Sequence, residues 1–351
     1  MKDAVQQSSQ TKDAIKEIQR LELEVKSKLP KLRFTRLEIQ YSIVEGSFVY
    51  HNASFQHAAL GGKQGQTYFY ALKCIRRPAP DATAVNESVR KYEERDSIIE
   101  KRAIQLARET KILSHLDEHQ NIRRLYAISS KLLSSSLLKS SGMGYFLVLD
   151  VIPETLRERL DCLRRRSRQQ NWSDTGKFYF RSNKRLIADK EAFERAKHIG
   201  LAVARGMCFL HDRNIAYGDL SPDKVGFDLR GTIKLVDFTA AVELEVDGDQ
   251  RGEFSSLQEC SFASDVHSFG WLLWELLTLK KSYGHRASQV LNTKRTSLGK
   301  ISNRLRDVMN QCWNCDSLND CPTFRRILKR MLEVASEDSF KIDIPFPKGP
   351  E

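Results

Sequence analysis

The amino-acid sequence predicts an α+β fold in which a small β-rich lobe comes first and a larger, mostly α-helical lobe follows. Two observations predict this order. Five short stretches with strand character occur before residue 152 and surround one long stretch with helical character. After Pro153 helical patterns dominate, and no internal repeat is visible. With 351 residues and a hydrophobic fraction of 40%, the chain can bury a core for such a fold.

The first segment, residues 1–31, is predicted to be a helical extension. Pro30 is expected to end this helix. Six apolar residues recur at helical intervals among Lys, Glu and Gln: Ala4, Ala14, Ile15, Ile18, Leu21 and Leu23. An isolated helix is marginally stable in water, so this one is expected to pack on the domain or on a partner. The sequence leaves these two alternatives open. The polar start of the chain predicts no secretory signal.

The predicted strands are rich in β-branched and aromatic residues and are bounded by turn-forming residues. A glycine-rich turn lies at 61–65, and a polar stretch at 76–94 is predicted to be a loop before a helix that runs to Leu116. A serine-rich segment at 129–141 is predicted to be a solvated linker. The predicted strands are Glu38–Val44, Ser47–Ser54, Thr67–Ile75, Ile122–Ile128, Tyr145–Val151 and, later in the chain, Thr232–Val236.

About half of the net charge of +12 lies in one region. Residues 161–190 hold nine Lys or Arg against three Asp, a block that is more typical of a solvated insert than of a nucleic-acid groove. No apolar run is long enough to span a bilayer, so no membrane partner is predicted. Seven cysteines, an odd number, favour free thiols in the cytoplasm or the nucleus.

Three segments carry residues suited to phosphoryl transfer, which needs a cation on the phosphates, a carboxylate that fixes it, magnesium ligands and a carboxylate that orients the acceptor hydroxyl. They are Tyr70–Lys73, Ala107–Leu113 and the pair of loops within Tyr217–Thr239, whose aspartates are 18 residues apart. Together these segments resemble the protein kinase family, and the resemblance extends from about Tyr41 to about Met331.

The resemblance implies a role for each charged residue of these segments. Lys73 would contact the α- and β-phosphates of ATP, and Glu109 would pair with Lys73. Asp219 would orient the acceptor hydroxyl, and Asp237 would hold Mg²⁺. The sequence Asp219–Asp223 is similar to the catalytic loop of Ser/Thr kinases, which implies a protein substrate phosphorylated on Ser or Thr.

The resemblance also implies an adenine pocket. Ala71 would cover the adenine, Leu149 would lie at the back of the pocket, and the backbone of Asp150 and Ile152 would meet the adenine edge. The phosphate-covering loop keeps only its middle glycine, Gly46. His51 is expected at the position where a small apolar residue usually covers the adenine.

A bilobal protein-kinase-like fold follows from the same resemblance, with a five-stranded antiparallel N-lobe that carries one main helix and a mostly helical C-lobe. A hydrophobic stack of Leu113, Leu125, Tyr217 and Phe238 is predicted, with an ordinary core as the alternative. The predicted boundaries are the extension 1–31, the kinase domain 32–335 (N-lobe 32–150, hinge 150–153, C-lobe 154–335, basic insert 161–190) and the tail 336–351.

Several positions depart from the family's pattern. Lys224 replaces the asparagine that binds a second Mg²⁺, and a protonated lysine has no lone pair with which to bind a metal. Gly218 stands where an arginine would receive an activation-loop phosphate, and Thr239 replaces the glycine after Asp237-Phe238. The activation segment is short, and Arg251–Glu253 is the nearest match to the family's closing motif. Cys321 stands in place of the usual arginine. Both departures argue against a substrate-docking platform.

Two functional hypotheses therefore stay open. The first is a Ser/Thr-type protein kinase with reduced activity, since Lys73, Glu109, Asp219 and Asp237 are all retained. The second is a pseudokinase that acts as a signalling scaffold or allosteric partner, since one metal ligand and two glycines are lost. Nucleic-acid binding through residues 161–190 is a remote third hypothesis, and a zinc site around Cys312, Cys315 and Cys321 is disfavoured because no second Cys/His pair lies at metal spacing.

Overall fold

A computed structural model describes residues 2–25, 29–33, 38–45, 48–55, 68–75, 89–137, 144–172, 178–244, 256–282, 303–314 and 321–336. The chain divides into two compact units. Unit 1 comprises Met1–Glu154 and Gly226–Glu243, and unit 2 comprises Thr155–Val225 and Leu244–Glu351. None of the described helices is long and apolar enough to cross a membrane.

The helices divide between the two units. Unit 1 contains α1 (Lys2–Glu24), α2 (Val89–His115) and α3 (Leu133–Leu137). Unit 2 contains α4 (Leu156–Trp172), α5 (Phe178–His211), α6 (Ser256–Thr278), α7 (Asn303–Trp313) and α8 (Phe324–Ser336).

Six of the described strands form the main sheet, which lies in unit 1. The strands are β1 (Lys31–Leu32), β2 (Glu38–Glu45), β3 (Phe48–Phe55), β4 (Tyr68–Ile75), β5 (Leu125–Ser129) and β6 (Phe146–Leu149), and their order is β1-β5-β6-β4-β3-β2. β1 pairs with β5 in parallel, and the other neighbours are antiparallel. Short strands follow at β7 (Glu154–Thr155), β8 (Ile215–Ala216), β9 (Val225–Phe227), β10 (Ile233–Leu235) and β11 (Val242–Glu243).

The five predicted strands before residue 152 are all present, and the structure adds β1. Leu32 of β1 joins a buried cluster with Tyr70, Leu72, Phe146 and Val148, which come from β4 and β6. Residues two apart on a strand share a face, so these residues give one side of the sheet an apolar surface. The predicted α+β fold is confirmed, with a sixth strand at the edge of the sheet.

Helix α1 packs in cis against α2 and α3 of unit 1. Ala14, Ile18 and Leu21 form its buried stripe, and Ile18 is fully buried. The carboxylate of Glu22 accepts hydrogen bonds from the backbone N–H of Leu133 and the hydroxyl of Ser134, at the start of α3. Of the two alternatives that the sequence left open, packing on the domain or on a partner, the structure shows packing on the domain.

Unit 2 contains a buried carboxylate that holds two arginines. Glu275 on α6 is 1% exposed, and its Oε2 lies 2.7 Å from Arg157 and 3.0 Å from Arg164, both on α4. Its Oε1 accepts hydrogen bonds from the N–H and the hydroxyl of Ser282. Two arginines and a hydroxyl thus satisfy a carboxylate that would otherwise be costly to bury.

Several predicted boundaries are wrong. Helix α1 ends at Glu24 rather than near Pro30, because the chain from Pro30 onward hydrogen-bonds to β5. Helix α2 begins at Val89, inside the predicted loop 76–94, since charged residues such as Arg, Lys and Glu are good helix formers without an apolar stripe. The predicted linker 129–141 contains β5's last residue and α3.

The basic block 161–190 is helical in its described residues, which belong to α4 and α5. Arg165 and Arg166 are exposed, in agreement with a solvated block. Arg164, predicted to be one of its solvated cations, is 11% exposed and pairs with Glu275 and Asp161. Residues 173–177 lie outside the described residues.

Candidate active site

Three of the predicted site residues meet in unit 1. Lys73 lies on β4, Glu109 lies on α2, and Asp237 follows β10 by two residues. The ammonium Nζ of Lys73 is 2.7 Å from Glu109 Oε2 and 2.9 Å from Asp237 Oδ1. Lys73 and Glu109 are fully buried, and the side chain of Asp237 is 15% exposed. One cation is therefore held by two carboxylates that are 128 positions apart in the sequence.

The Lys73–Glu109 contact is an ion pair at neutral pH. Burial alone would lower the pKa of Lys73, but Glu109, Tyr50 and Asp237 outweigh it, and the pKa of Lys73 is raised. Burial raises the pKa of Glu109, against the opposing effects of Lys73 and of the Phe238 amide, which donates to its Oε1. The charged pair is the stable form, because an ammonium and an amide both donate to this carboxylate.

The segment after β10 is held close to this pair. Asp237 Oδ1 accepts hydrogen bonds from the backbone N–H and the hydroxyl of Thr239, at 3.3 and 3.0 Å. The threonine that replaces the expected glycine thus caps the carboxylate that was predicted to bind Mg²⁺. Phe238 is fully buried.

The carboxylate and the backbone carbonyl of Asp150, a predicted hinge residue, both accept hydrogen bonds from residues of unit 1. Its carboxylate accepts from the N–H of Arg124 and the hydroxyl of Tyr126, both at 2.8 Å, and lies 3.3 Å from Lys234 Nζ. Its carbonyl oxygen accepts two hydrogen bonds from the guanidinium of Arg123, at 3.0 and 2.8 Å. This carbonyl is one of the groups that the resemblance assigned to the adenine edge.

The register of β3 against β4 corrects the prediction for His51. Tyr50 pairs with Lys73, Asn52 pairs with Ala71, and His51 pairs with Leu72. Directly opposite residues of an antiparallel pair share a face of the sheet. The position that shares the face of Lys73 is therefore Tyr50, whose ring centre is 5.9 Å from Lys73 Nζ.

The predicted catalytic loop lies in unit 2. The side chain of Asp219 is 56% exposed, and its Oδ2 lies 3.9 Å from Lys224 Nζ. Lys224 is the last residue of a short 3-10 helix, Pro222–Lys224. Asp265 on α6 accepts the backbone N–H groups of Tyr217 and Gly218, each at 2.8 Å. Gly218 has φ +80°, a left-handed conformation that glycine adopts without steric cost, so this position favours glycine.

The other predicted site residues are placed as follows. Ala71 is buried on β4, and Leu149, Leu113, Leu125 and Tyr217 are buried in their own units. Ile152 is partly buried, and a Cβ added at Gly226 would overlap Ile152 Cγ2, so only glycine fits beside this side chain. Gly46, Arg251–Glu253 and Cys315 lie outside the described residues.

Comparison with known proteins identifies the family. A family model described as protein tyrosine and serine/threonine kinase matches residues 71–331. The chain belongs to this protein kinase family. The match begins at the strand that carries Lys73 and covers most of the chain, including Glu109, Asp219 and Asp237.

Individual kinases resemble the chain over less than half of its length. The dual specificity protein kinase shkB of Dictyostelium discoideum is 30% identical over 178 residues, which are 44% of this chain and 27% of that protein. The serine/threonine-protein kinase STY46 of Arabidopsis thaliana is 26% identical over 156 residues, 40% of this chain and 27% of that protein. A Kit-related growth factor receptor of Xenopus laevis is 27% identical over 168 residues, 41% of this chain and 17% of that protein. These matches thus cover about a quarter or less of each relative.

Two residues of this kinase domain were missed at the sequence level, Tyr50 and Arg123. Arg123 and Arg124 are adjacent charged residues in the predicted strand Ile122–Ile128, so the sequence marked this position as unusual without showing which arginine is buried. Tyr50 gave no such signal, because only the register of β3 against β4 places it opposite Lys73.

Proposed function

We propose that this kinase domain binds ATP and transfers its γ-phosphoryl group slowly to a Ser or Thr hydroxyl of a protein. The supporting observation is the buried Lys73, held between Glu109 and Asp237 at 2.7 and 2.9 Å. An ammonium fixed in this way can bind phosphate oxygens without first being ordered, which favours a preorganised phosphate site. Asp219 would orient the acceptor hydroxyl in this proposal.

The donor set suits one magnesium ion. Mg²⁺ in phosphoryl-transfer sites is commonly held by one or two carboxylates together with substrate phosphates and water. Asp237 supplies one partly exposed carboxylate. When bound, the ion would neutralise charge on the transferred phosphoryl group.

Lys224 is the reason to expect a low rate. It stands at the position of a metal-binding asparagine, and its ammonium lies 3.9 Å from Asp219 instead. The lysine can offset part of the phosphate charge, but it cannot bind a metal ion. The loss of the second metal ion is expected to outweigh this partial compensation.

The test is a phosphoryl-transfer assay with radiolabelled ATP, Mg²⁺ or Mn²⁺, and a general protein substrate. Lys73→Ala and Asp219→Ala are the diagnostic variants, and Leu229→Ala, at an exposed position of unit 1, is the matched control. Incorporation that both diagnostic variants abolish and the control retains supports the enzyme. Incorporation that survives in Asp219→Ala contradicts it.

A second candidate, a pseudokinase that acts as a scaffold or allosteric partner, is favoured by the Lys224–Asp219 contact. An ion pair at this position reduces the availability of Asp219 to an acceptor hydroxyl. Absence of incorporation by the wild-type protein, in a preparation that unfolds cooperatively, would select this candidate.

The remaining assignments are part of the same proposal. We place the domain at residues 32–335, with the tail at 336–351, and the protein in the cytoplasm or nucleus with a protein substrate or partner. Nucleic-acid binding through 161–190 is left as the remote alternative, and Arg164 of that block would not contribute to it, since it pairs with Glu275 and Asp161.

A further inference from the structure

Arg123 is a buried arginine with an unusual set of partners. It is 4% exposed, and its Nε and Nη2 donate to the carbonyl oxygen of Asp150 at 3.0 and 2.8 Å. Its guanidinium carbon lies 5.3 Å from the ring centre of Tyr50. Among the residues that the structure describes, Arg123 forms no ion pair, although burial of an unpaired charge is costly.

Tyr50 links this arginine to the phosphate-binding lysine. Its ring lies within cation–π distance of Arg123 and of Lys73, at 5.3 and 5.9 Å. Burial raises the pKa of Tyr50, against the opposing effects of Lys73 and Arg123, so the ring carries a neutral phenol. Tyr50 therefore packs on both cations without neutralising either of them.

The neighbouring arginine shows what an ordinary surface contact looks like in this chain. Arg124 also lies over a tyrosine ring, 4.9 Å from the centre of Tyr126. Its side chain is 46% exposed and pairs with Glu118 at 2.7 Å. Arg123 lacks both the exposure and, within the described part of the chain, the carboxylate.

We propose that Tyr50 and Arg123 form a plug that competes with ATP for the nucleotide site of unit 1. This inference rests on the proposed function, which assigns the Asp150 carbonyl to the adenine edge and Lys73 to the phosphates. Arg123 donates two hydrogen bonds to the Asp150 carbonyl, and the centre of the Tyr50 ring lies 5.9 Å from Lys73 Nζ. Nucleotide binding then requires that the plug leave, so the apparent affinity falls by the fraction of molecules in which the site is open.

The test compares ligand binding to four variants and the wild-type protein by isothermal titration calorimetry. Arg123→Leu removes the guanidinium and keeps a shorter, apolar side chain, and Arg124→Leu is its matched control. Tyr50→Ala removes the ring, and Phe69→Ala, an aromatic residue exposed on the neighbouring strand β4, is its matched control. Adenosine and ATP are titrated separately, with and without Mg²⁺. Circular dichroism and cooperative thermal unfolding establish that each variant is folded.

The plug predicts that Arg123→Leu and Tyr50→Ala bind adenosine and ATP about tenfold more tightly than wild type, or better, while both controls match wild type. If one diagnostic variant fails to fold, the other carries the test. Wild-type affinity in a folded Arg123→Leu or Tyr50→Ala protein overturns the plug, and ATP bound equally by all proteins leaves the proposed nucleotide binding intact.

The adenosine arm separates the two hypotheses. A gain for adenosine without a gain for ATP overturns the plug, because removal of the plug should raise the affinity for both ligands by the same factor. In a folded variant that binds adenosine, ATP bound no more tightly than adenosine contradicts the phosphate role of Lys73. If neither ligand binds any folded protein, the plug and the proposed nucleotide site are both overturned.

Discussion

Lys111 on α2 lies 2.7 Å from Glu24, the last residue of α1, and Glu243 lies 2.6 Å from the same ammonium. Lys111 is two positions from Glu109, so the N-terminal helix is attached to α2 close to the residue that pairs with Lys73. The Lys111 pairs are partly exposed, and pairs of this kind contribute at most about 1 kcal/mol each. The buried stripe of α1 is therefore expected to supply most of the docking energy.

Replacement of Ile18 by alanine tests this division. Ile18 is fully buried, so Ile18→Ala should lower the free energy of unfolding by about 2–5 kcal/mol. Glu24→Gln should lower it by less than about 1 kcal/mol. Urea denaturation measures both, with Leu23→Ala as the control, since Leu23 is 87% exposed on the same helix. Equal losses for Ile18→Ala and Leu23→Ala would mean that α1 is not docked.

Glu275 predicts an acid-sensitive unit 2. Burial raises its pKa, but Arg157 and Ser282 outweigh burial, and the folded-state pKa lies below the ordinary value of 4.5. A carboxylate with a depressed pKa contributes its full stabilisation above its unfolded-state pKa, and this contribution is lost as the pH falls through its folded-state pKa.

The measurement compares wild type with Glu275→Gln across pH. At neutral pH the substitution leaves Arg157 and Arg164 without their shared carboxylate and should cost about 3–5 kcal/mol. As the pH falls below about 4.5 the difference should shrink, first because Glu275 of the unfolded wild type takes up a proton and then, at lower pH, because the folded protein does so too. A difference that does not depend on pH would show that the ion pairs do not stabilise the fold.

Asp265 is expected to hold the backbone of Tyr217 and Gly218, just before Asp219, in its folded conformation. In Asp265→Ala, the N–H groups of Tyr217 and Gly218 lose their acceptors, which should cost about 2–4 kcal/mol. Asp265→Asn keeps one carbonyl acceptor and should cost about half as much. Urea denaturation gives both values. A cost for asparagine equal to that for alanine would argue that charge, and not hydrogen bonding, is what matters at this position.

Lys224→Asn tests the metal argument. Asparagine restores an oxygen ligand and frees Asp219 from its 3.9 Å contact, so ATP binding should become more dependent on Mg²⁺, by about tenfold in affinity. Calorimetric titration of ATP with Mg²⁺ and with EDTA measures this dependence. Lys224→Met, which removes the charge without adding a ligand, is the matched control. An unchanged metal dependence in Lys224→Asn would contradict the role given to Lys224.

The sequence predicted the parts of the site that depend on residue type. Lys73, Glu109 and Asp237 were identified from spacing and resemblance. In the structure Lys73 Nζ lies 2.7 Å from Glu109 Oε2 and 2.9 Å from Asp237 Oδ1. This combination is distinctive in the sequence. Few lysines are followed both by a glutamate on a predicted helix and by an aspartate after a short predicted strand.

The parts that depend on register or on tertiary packing could not be predicted. His51 and Tyr50 are neighbours, and a shift of one residue decides which of them faces Lys73. Strand β1 has only two residues, too few to leave a periodic pattern. Arg164 looked like a surface cation because its partner Glu275 lies 111 positions away in the sequence.

The two-residue strand β1 gives the N-terminal extension a second attachment, of a different kind from the docking of α1. Backbone hydrogen bonds from Ile128 and Ser130 reach the carbonyls of Pro30 and Leu32, so the extension supplies the outermost strand of the sheet. Deletion of the residues before Glu38 would remove β1 and uncover the edge of β5, and an uncovered edge is a template for pairing with other chains. A protein shortened in this way is therefore expected to self-associate through β5.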